Sequence, residues 1–524
     1  MSDNSLNPRI FYLDSVFISF VVCSLIVVWN LQSSPQFEHW FLIPVALSGF
    51  IATIDAVNWF MGRLSIFDPV GIIGLLSFHF FFLAPILHVS WDQWLEPWFS
   101  YPPDWRPWLG GMAIFNLLGL IVYRFSRNLV PLTNNNTPGK TVWQIHRKKF
   151  NRVVNTAMAI SAVLQINVYR QFGGVMGYIN SANSAATGAE ETDKFQGMGI
   201  VFLVSESFPI LAMMAFAVWA KQNKRLQSWP VLLIALVIFI VLQMFFGGLR
   251  GSRANTIWAL FWAAGIIHFW IRPITKKDIA LGLVFLMCFM YIYGFFKAGG
   301  PEAVQKAFSG EEARAQMEEE SGRTWQGMLL GDLGRSDVQA FMLYRTLRPN
   351  SDHEYAWGQT YAAASTILIP SAIMPNKPER NKTREGTELL FGKGSYIPGQ
   401  WQSSKVYGLT GEAMLNFGPF VMPFMFIPFG ILIGWVQRCL FSWDLSDIRL
   451  LLLPMLVNFC FVVLVSDLDN NIFFLMKNSG FPTLVIWLSS QKTFVPNYLE
   501  NLPDFPQAKL SQMPALRKKL KLHK

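Results

Sequence analysis

The chain has 524 residues, of which 52% are hydrophobic and only 15% charged, and its mean hydropathy is +0.32. An average soluble domain carries roughly 25% charged residues, so this composition excludes a disordered chain, a disulfide scaffold and an ordinary cytosolic enzyme, and points to a protein solvated by lipid. The net charge of +10 then becomes a question of which side of a membrane the basic residues occupy.

A helix needs about 20 apolar residues to cross a bilayer core. The hydropathy pattern predicts twelve such spans, at 13–31, 40–60, 69–90, 108–124, 153–169, 199–220, 230–247, 254–271, 279–296, 417–437, 450–466 and 472–489. The first is followed by no small-residue cleavage site and is expected to stay as an anchor. The expected fold class is therefore an all-α polytopic membrane protein: spans one to nine within 1–296, a large partly helical loop at 297–416, spans ten to twelve within 417–489, and a basic tail at 490–524.

Orientation follows from Lys and Arg. Residues 124–152 contain Arg124, Arg127, Lys140, Arg147, Lys148, Lys149 and Arg152 with no acid, and further basic clusters stand at 221–225, 272–277 and 517–524. Twelve crossings put all of these on one side with both termini, and the positive-inside rule makes that side cytoplasmic. The basicity is a topology signal, so no nucleic-acid partner is expected. Cys23, Cys288, Cys439 and Cys460 lie in apolar runs without metal-ligand spacing and are expected to act as small hydrophobes.

On the opposite side, residues 91–108 (WDQWLEPWFSYPPDWRPW) have the Trp density of a headgroup-level loop. Residues 247–253 (GGLRGSR) join two spans there, and Arg250 and Arg253 run against the inside bias. Glycines permit close backbone approach and guanidinium forks match phosphate oxygens, so this segment is a candidate pyrophosphate clamp. The alternative is simple snorkelling of Arg at a helix end.

The large loop carries GDLGRSDVQAFMLYRTLR at 331–348, with Arg335 and Asp337 as further candidates, and then a basic turn with Lys377, Arg380, Lys382 and Arg384. Phosphate binding and a solvated charged surface are equally good readings of that turn. Glu412, where the chain re-enters the membrane, is either a candidate base for a hydroxyl or an acid in a helix first turn. Asp55, Glu206 and Lys477 fall inside spans and are functional candidates by default. His79 and His88 have poor metal spacing, and the DLD at 467–469 reads as an inter-helix turn more readily than as a cation site. No motif of a nucleotide-driven pump or a protease is present.

Several short motifs occur in a telling order: RQFGGVMGYI at 170–179, GSR at 251–253, GQTY at 358–361 followed by IP at 369–370, P-x-KP at 375–378, and GE-x₃-NFG ending at 418. With the single large late loop, this layout resembles the Wzy-type oligosaccharide repeat-unit polymerases, the O-antigen polymerase family, over roughly residues 150–470. The resemblance implies a GT-C-like glycosyltransferase of the bacterial inner membrane. Both substrates would be glycans carried on undecaprenyl pyrophosphate at the periplasmic face. The growing glycan would move to a new lipid-linked repeat, with undecaprenyl pyrophosphate leaving and no cofactor or metal required. A chain-length regulator is the expected protein partner. In that scheme Arg250, Arg253 and Arg335 would hold the pyrophosphate and Glu412 or Asp337 would serve as base. Arg170, Tyr361, Lys377, Arg380 and Tyr407 are candidate sugar or phosphate contacts. A glycan ligase would look much the same, and a transporter of lipid-linked sugars is the reading from another class.

Overall fold

The computed structural model describes residues 12–95, 101–132, 139–187, 198–250, 253–321, 324–369, 373–378, 380–398 and 405–496. Among them, nine helical spans are long and apolar enough to cross a membrane. They are α1 (Leu13–Ser33), α2 (Leu42–Phe60), α3 (Pro69–Trp91), α4 (Arg106–Asn128), then, after strand β1 (Gly139–Ile145) and helix α5 (Arg147–Gln171), α6 (Gly199–Ala220) and α7 (Trp229–Phe246). Helix α8 (Asn255–Ile271) is a shorter apolar piece, and α9 (Lys276–Ala307) crosses with its first part, Lys276–Phe296. The large loop contributes α10 (Ser336–Leu347), α11 (Gln359–Thr366), α12 (Lys382–Phe391) and α13 (Gly408–Phe417). The chain finishes with α14 (Met422–Ser442), the short apolar α15 (Leu453–Val465), α16 (Leu468–Ser489) and strand β2 (Ser490–Pro496).

Each of the twelve expected spans coincides with a helix. Three fall outside the nine: α8 and α15 are short, and α5, 25 residues long, carries Asn151, Arg152, Asn155, Gln165 and Asn167 along its length. The helices start where local chemistry favours them. Asp68 caps α3 by accepting from Val70 N at 2.9 Å ahead of Pro69, and Thr275 and Asp278 close a reciprocal capping box on α9. The core lies between α2, α3, α4, α8, α14 and α15, with Phe81, Trp262, Phe426 and Ile433 fully buried. Helices α1 and α7 form the rim. Phe17, Leu25 and Trp29 on α1, and Leu233, Val237 and Val241 on α7, are exposed, as lipid-facing side chains should be.

The ends of the bundle separate cleanly. At one end Lys276 Nζ reaches Phe60 O (2.6 Å), Arg147 reaches Gln222 (2.7 Å), Lys221 reaches Leu445 O (3.0 Å) and Arg449 reaches Thr141 O (2.9 Å). Lys140 faces Asp444 at 3.5 Å, and Arg63 pairs with Asp14. All of these residues belong to the basic side read from the sequence.

The described residues are almost wholly helical, as expected, with one two-stranded ribbon at that end. Residues 139–145, expected as loop, pair antiparallel with 490–496, expected as the start of a tail, with Gln144 opposite Gln491. The segment KTVWQI is rich in the β-branched and aromatic residues that favour strands, Thr141, Val142, Trp143 and Ile145, and Val142 is buried while Thr141 is exposed. The tail beyond Pro496 lies outside the described residues.

Candidate functional site

At the opposite end the large loop folds back onto the membrane helices, and its polar residues meet in one buried cluster. Helix α11 starts at Gly358 in the left-handed region (φ +84°), and Gly358 N donates to Asn416 Oδ1 at 2.9 Å. The preceding strand of chain is tied to the end of α13 through Ala356 N to Leu415 O (3.0 Å) and Trp357 N to Asn416 O (2.9 Å). These bonds bring Thr360 against α13. Asn416 Nδ2 donates to Thr360 Oγ1 at 2.6 Å, and Thr360 Oγ1 donates in turn to Glu412 Oε1 at 2.9 Å. The other carboxylate oxygen, Glu412 Oε2, accepts from Leu468 N at 2.6 Å, at the start of α16. Glu412 is 3% exposed, Thr360 1% and Asn416 0%.

A second carboxylate adjoins the first. Asp467 Oδ1 accepts from both Tyr407 N and Gly408 N at 2.9 Å, fixing the entry to α13. Its Oδ2 lies 3.1 Å from Lys382 Nζ, which is also 3.9 Å from Asp469. Burial pushes the Glu412 carboxyl up, Asp467 adds to the effect, and together they outweigh the donated hydrogen bonds, leaving its pKa at about 8. Asp467 is also raised by burial, against the pull of Lys382. Burial opposes charge on Lys382, but Asp467 and Asp469 win and its pKa stands above the ordinary value. Tyr361 packs its ring 6.1 Å from that of Phe417, and burial, Glu412 and Asp467 raise its hydroxyl pKa. The arrangement can hold or accept one proton near neutral pH in a place from which bulk water is excluded.

The remaining candidates are dispersed. Asp337, in the first turn of α10, faces His88 Nε2 at 3.8 Å and accepts from Val338 N, so it is turned to α3 and to its own turn. Arg335 hydrogen-bonds the Gly331 and Gly334 carbonyls. Tyr407 is fully buried at the head of α13. Arg380 gives a bidentate fork to Glu385 (2.6 and 2.8 Å) and reaches Glu354 O, while Lys377 is half-buried in the same turn and Arg170 is exposed in the last turn of α5. The side chains of Arg250 and Arg253 lie outside the described residues.

Inside the spans, Asp55 is neutralised by Arg127 (2.8 Å) and Arg124 (3.2 Å), joining α2 to α4. Glu206 is paired with Lys477 at 2.5 Å. Among the described residues no group of three or more His, Cys, Asp or Glu is arranged to hold a metal ion. The DLD turn is instead answered by a lysine.

No family model, curated protein or solved structure matches the chain. Its architecture and the Glu412 cluster therefore stand on their own geometry. Sequence reasoning singled out Glu412 and Tyr361 but missed Thr360, Asn416, Lys382 and Asp467 as parts of one site. Thr360 and Asn416 were inside the motifs GQTY and GE-x₃-NFG, where a hydroxyl and an amide beside an acid were the available signal.

Proposed function

We propose that this chain is a membrane glycosyltransferase that polymerises oligosaccharide repeats carried on undecaprenyl pyrophosphate at the periplasmic face of a bacterial inner membrane. The observation that carries the reading is the meeting of Thr360, Glu412 and Asn416. Two of the motifs behind the polymerase resemblance, GQTY and GE-x₃-NFG, supply Thr360 and Glu412, 52 residues apart in sequence, and their polar side chains join in a single hydrogen-bonded relay around one carboxyl. The relay sits on the side of the bundle opposite the Lys- and Arg-rich loops, which under the positive-inside rule is the periplasmic side.

In this reading Glu412 takes the proton from the acceptor sugar's hydroxyl. The freed oxygen attacks the anomeric carbon of the growing glycan, a C–O bond forms, and the bond from that carbon to the pyrophosphate oxygen breaks. The bonding electrons leave with undecaprenyl pyrophosphate, whose growing negative charge Arg250 and Arg253 stabilise from the outer membrane boundary. The proton on Glu412 returns to water. Asp337 is the weaker candidate base, because its carboxylate is already turned to His88.

The test is elongation by the purified full-length protein in liposomes supplied with a lipid-linked repeat. Glu412→Gln keeps the side-chain shape and removes the base, so elongation should fall by about a hundredfold or more with expression and melting temperature retained. Ladders of normal length from Glu412→Gln would overturn the role of Glu412. Transfer only onto an acceptor that lacks pyrophosphate would make the enzyme a ligase, and ion-driven movement of the lipid without elongation would make it a transporter.

A further inference from the structure

Trp357 stands in a backbone conformation that a large side chain disfavours. Its φ is +51°, and Gly358 beside it is left-handed too, at +84°. Gln359 N closes the turn by donating to Ala356 O at 3.0 Å. Two left-handed central residues are the mark of a type I′ turn, whose first central position suits Asn, Asp or Gly. A bulky L-residue there is an outlier that persists only where its surroundings over-determine it. Here they do so through the Glu412 cluster itself. Trp357 N donates to Asn416 O and Gly358 N to Asn416 Oδ1, both at 2.9 Å, and the Asn416 amide donates in turn to Thr360.

Packing does not recover that cost, because Trp357 is 71% exposed. Its ring meets Tyr355, with centroids 6.0 Å apart and planes at 85°. Tyr355 is fixed from behind by Gly418, where a Cβ would fall 2.9 Å from the tyrosine ring. The two rings form a right-angled corner with the indole left open. Exposed polar residues flank it in the chain: Gln359 on one side and, on the other, Glu354, whose carboxylate pairs with Lys393 at 2.6 Å. An exposed carboxylate and ammonium stay hydrated, so this surface suits a hydrated ligand better than the acyl region of a bilayer.

We infer that Trp357, backed by Tyr355, is a stacking platform for a pyranose ring of the glycan substrate. One face of a pyranose presents C–H bonds, apolar and weakly positive, and the face of an indole is broad, apolar and negative, so the two attract while the sugar hydroxyls stay in water. Trp357 and Thr360 are three residues apart, so their Cα atoms lie within about 11 Å of one another, and a sugar held on the indole is close to the Glu412 relay. The inference rests on the proposed function for the class of its ligand, but neither Trp357 nor Tyr355 has a part in the reaction described there.

The full-length protein in nanodiscs is titrated by calorimetry with the oligosaccharide repeat freed from its lipid by mild acid. Trp357→Asn suits the turn better than the native residue, so it should melt no lower than the unaltered protein. It should bind the glycan about tenfold more weakly, while Trp357→Phe, which keeps an aromatic face, should bind within about threefold. Elongation by Trp357→Asn should need about tenfold more lipid-linked repeat to reach half its maximal rate, with that maximum kept, because stacking is equal in the ground and transition states. A Trp357→Asn protein that melts well below the unaltered one would assign the indole to folding. Equal affinities for the two, or no glycan binding by the unaltered chain, would also overturn the inference. Brominated acyl chains test the other occupant: if they quench the emission that Trp357→Asn removes, the indole is sunk in lipid and the inference fails. Glycan binding that depends on Trp357 in a protein that does not elongate defeats only the proposed function, whereas elongation indifferent to Trp357→Asn defeats this inference alone.

Discussion

Thr360 Oγ1 donates to Glu412 Oε1 at 2.9 Å, joining a loop helix to the helix that returns the chain to the membrane. Because Asn416 Nδ2 already donates to that same hydroxyl oxygen at 2.6 Å, the Thr360 proton has one direction left, toward the carboxylate. Removing the hydroxyl therefore takes from Glu412 Oε1 its Thr360 donor and leaves Asn416 Nδ2 with the Glu412 carbonyl, 2.9 Å away. Thr360→Val, nearly the same shape, should lower stability by about 1–3 kcal/mol, while Thr360→Ser should retain the relay. Thermal melting in detergent checks this, and a Thr360→Val protein that melts with the unaltered one would show that the bond contributes nothing.

The pKa of about 8 for Glu412 gives a pH signature whose sign is fixed. Between the ordinary 4.5 and about 8 the folded chain holds a proton that the unfolded chain has released. This group's contribution to stability is complete below 4.5 and is lost as pH rises through 8. Glu412→Gln has no such dependence, so its melting temperature should gain on the unaltered protein from pH 5 to pH 9. Elongation, which needs the ionised form, should climb over the upper part of that range and level above it. Melting curves that run parallel for the two proteins across this range would contradict the assignment.

Lys382 and Asp467 form the charge pair beneath this carboxyl. Lys382→Met leaves Asp467, 0% exposed, with two backbone donors but no cation. The expected loss is about 3–5 kcal/mol, the usual consequence of orphaning one member of a buried pair. Adding Asp467→Asn should restore most of it, because the amide oxygen still accepts from Tyr407 N and Gly408 N. A double variant no more stable than Lys382→Met would mean that the lysine acts through packing.

The spans were legible because the bilayer imposes one length and one polarity on every crossing helix, and local composition suffices to find them. The Glu412 cluster was legible only in part, because its geometry is non-local. Lys377, Arg380, Lys382 and Arg384 look alike in sequence, yet Arg380 turns to Glu385 and Arg384 to Glu388, while Lys382 alone reaches Asp467. Nothing within the turn distinguishes them; the choice is made by where α12 meets α16. In sequence Asp467 has the look of a turn residue, and it does organise a turn, but one at Tyr407 and Gly408, far along the chain. The ribbon was hidden for the same reason: residues 139–145 are rich in strand-favouring residues, and the strand they pair with lies beyond the last span.

That ribbon supplies a direct test of topology. Gln144 and Gln491 face one another across the strands, and directly opposed residues in an antiparallel pair have Cα atoms about 4.5–5.5 Å apart, within disulfide reach. In a background lacking the native cysteines, Gln144→Cys with Gln491→Cys should cross-link on mild oxidation. Either cysteine alone should react with a membrane-impermeant thiol reagent only from the cytoplasmic side. Labelling of intact cells from outside would reverse the orientation read from Lys and Arg.

Gly408 offers the sharpest test of how the cluster is built. Its φ is +73°, and a Cβ there would meet Leu464 O at 2.9 Å. The left-handed conformation costs an L-residue about 1–2 kcal/mol, and the carbonyl, being backbone, cannot move aside as a side chain would. Gly408→Ala should therefore cost more than the conformational term alone. It should also shift the N–H that Gly408 donates to Asp467, so that the damage reaches Lys382 and Glu412 through one hydrogen bond. The expected result is a lower melting temperature together with a displaced pH dependence of elongation. A Gly408→Ala protein that loses stability but keeps the pH profile of the unaltered chain would separate the turn from the carboxyl pair and confine this glycine's role to folding.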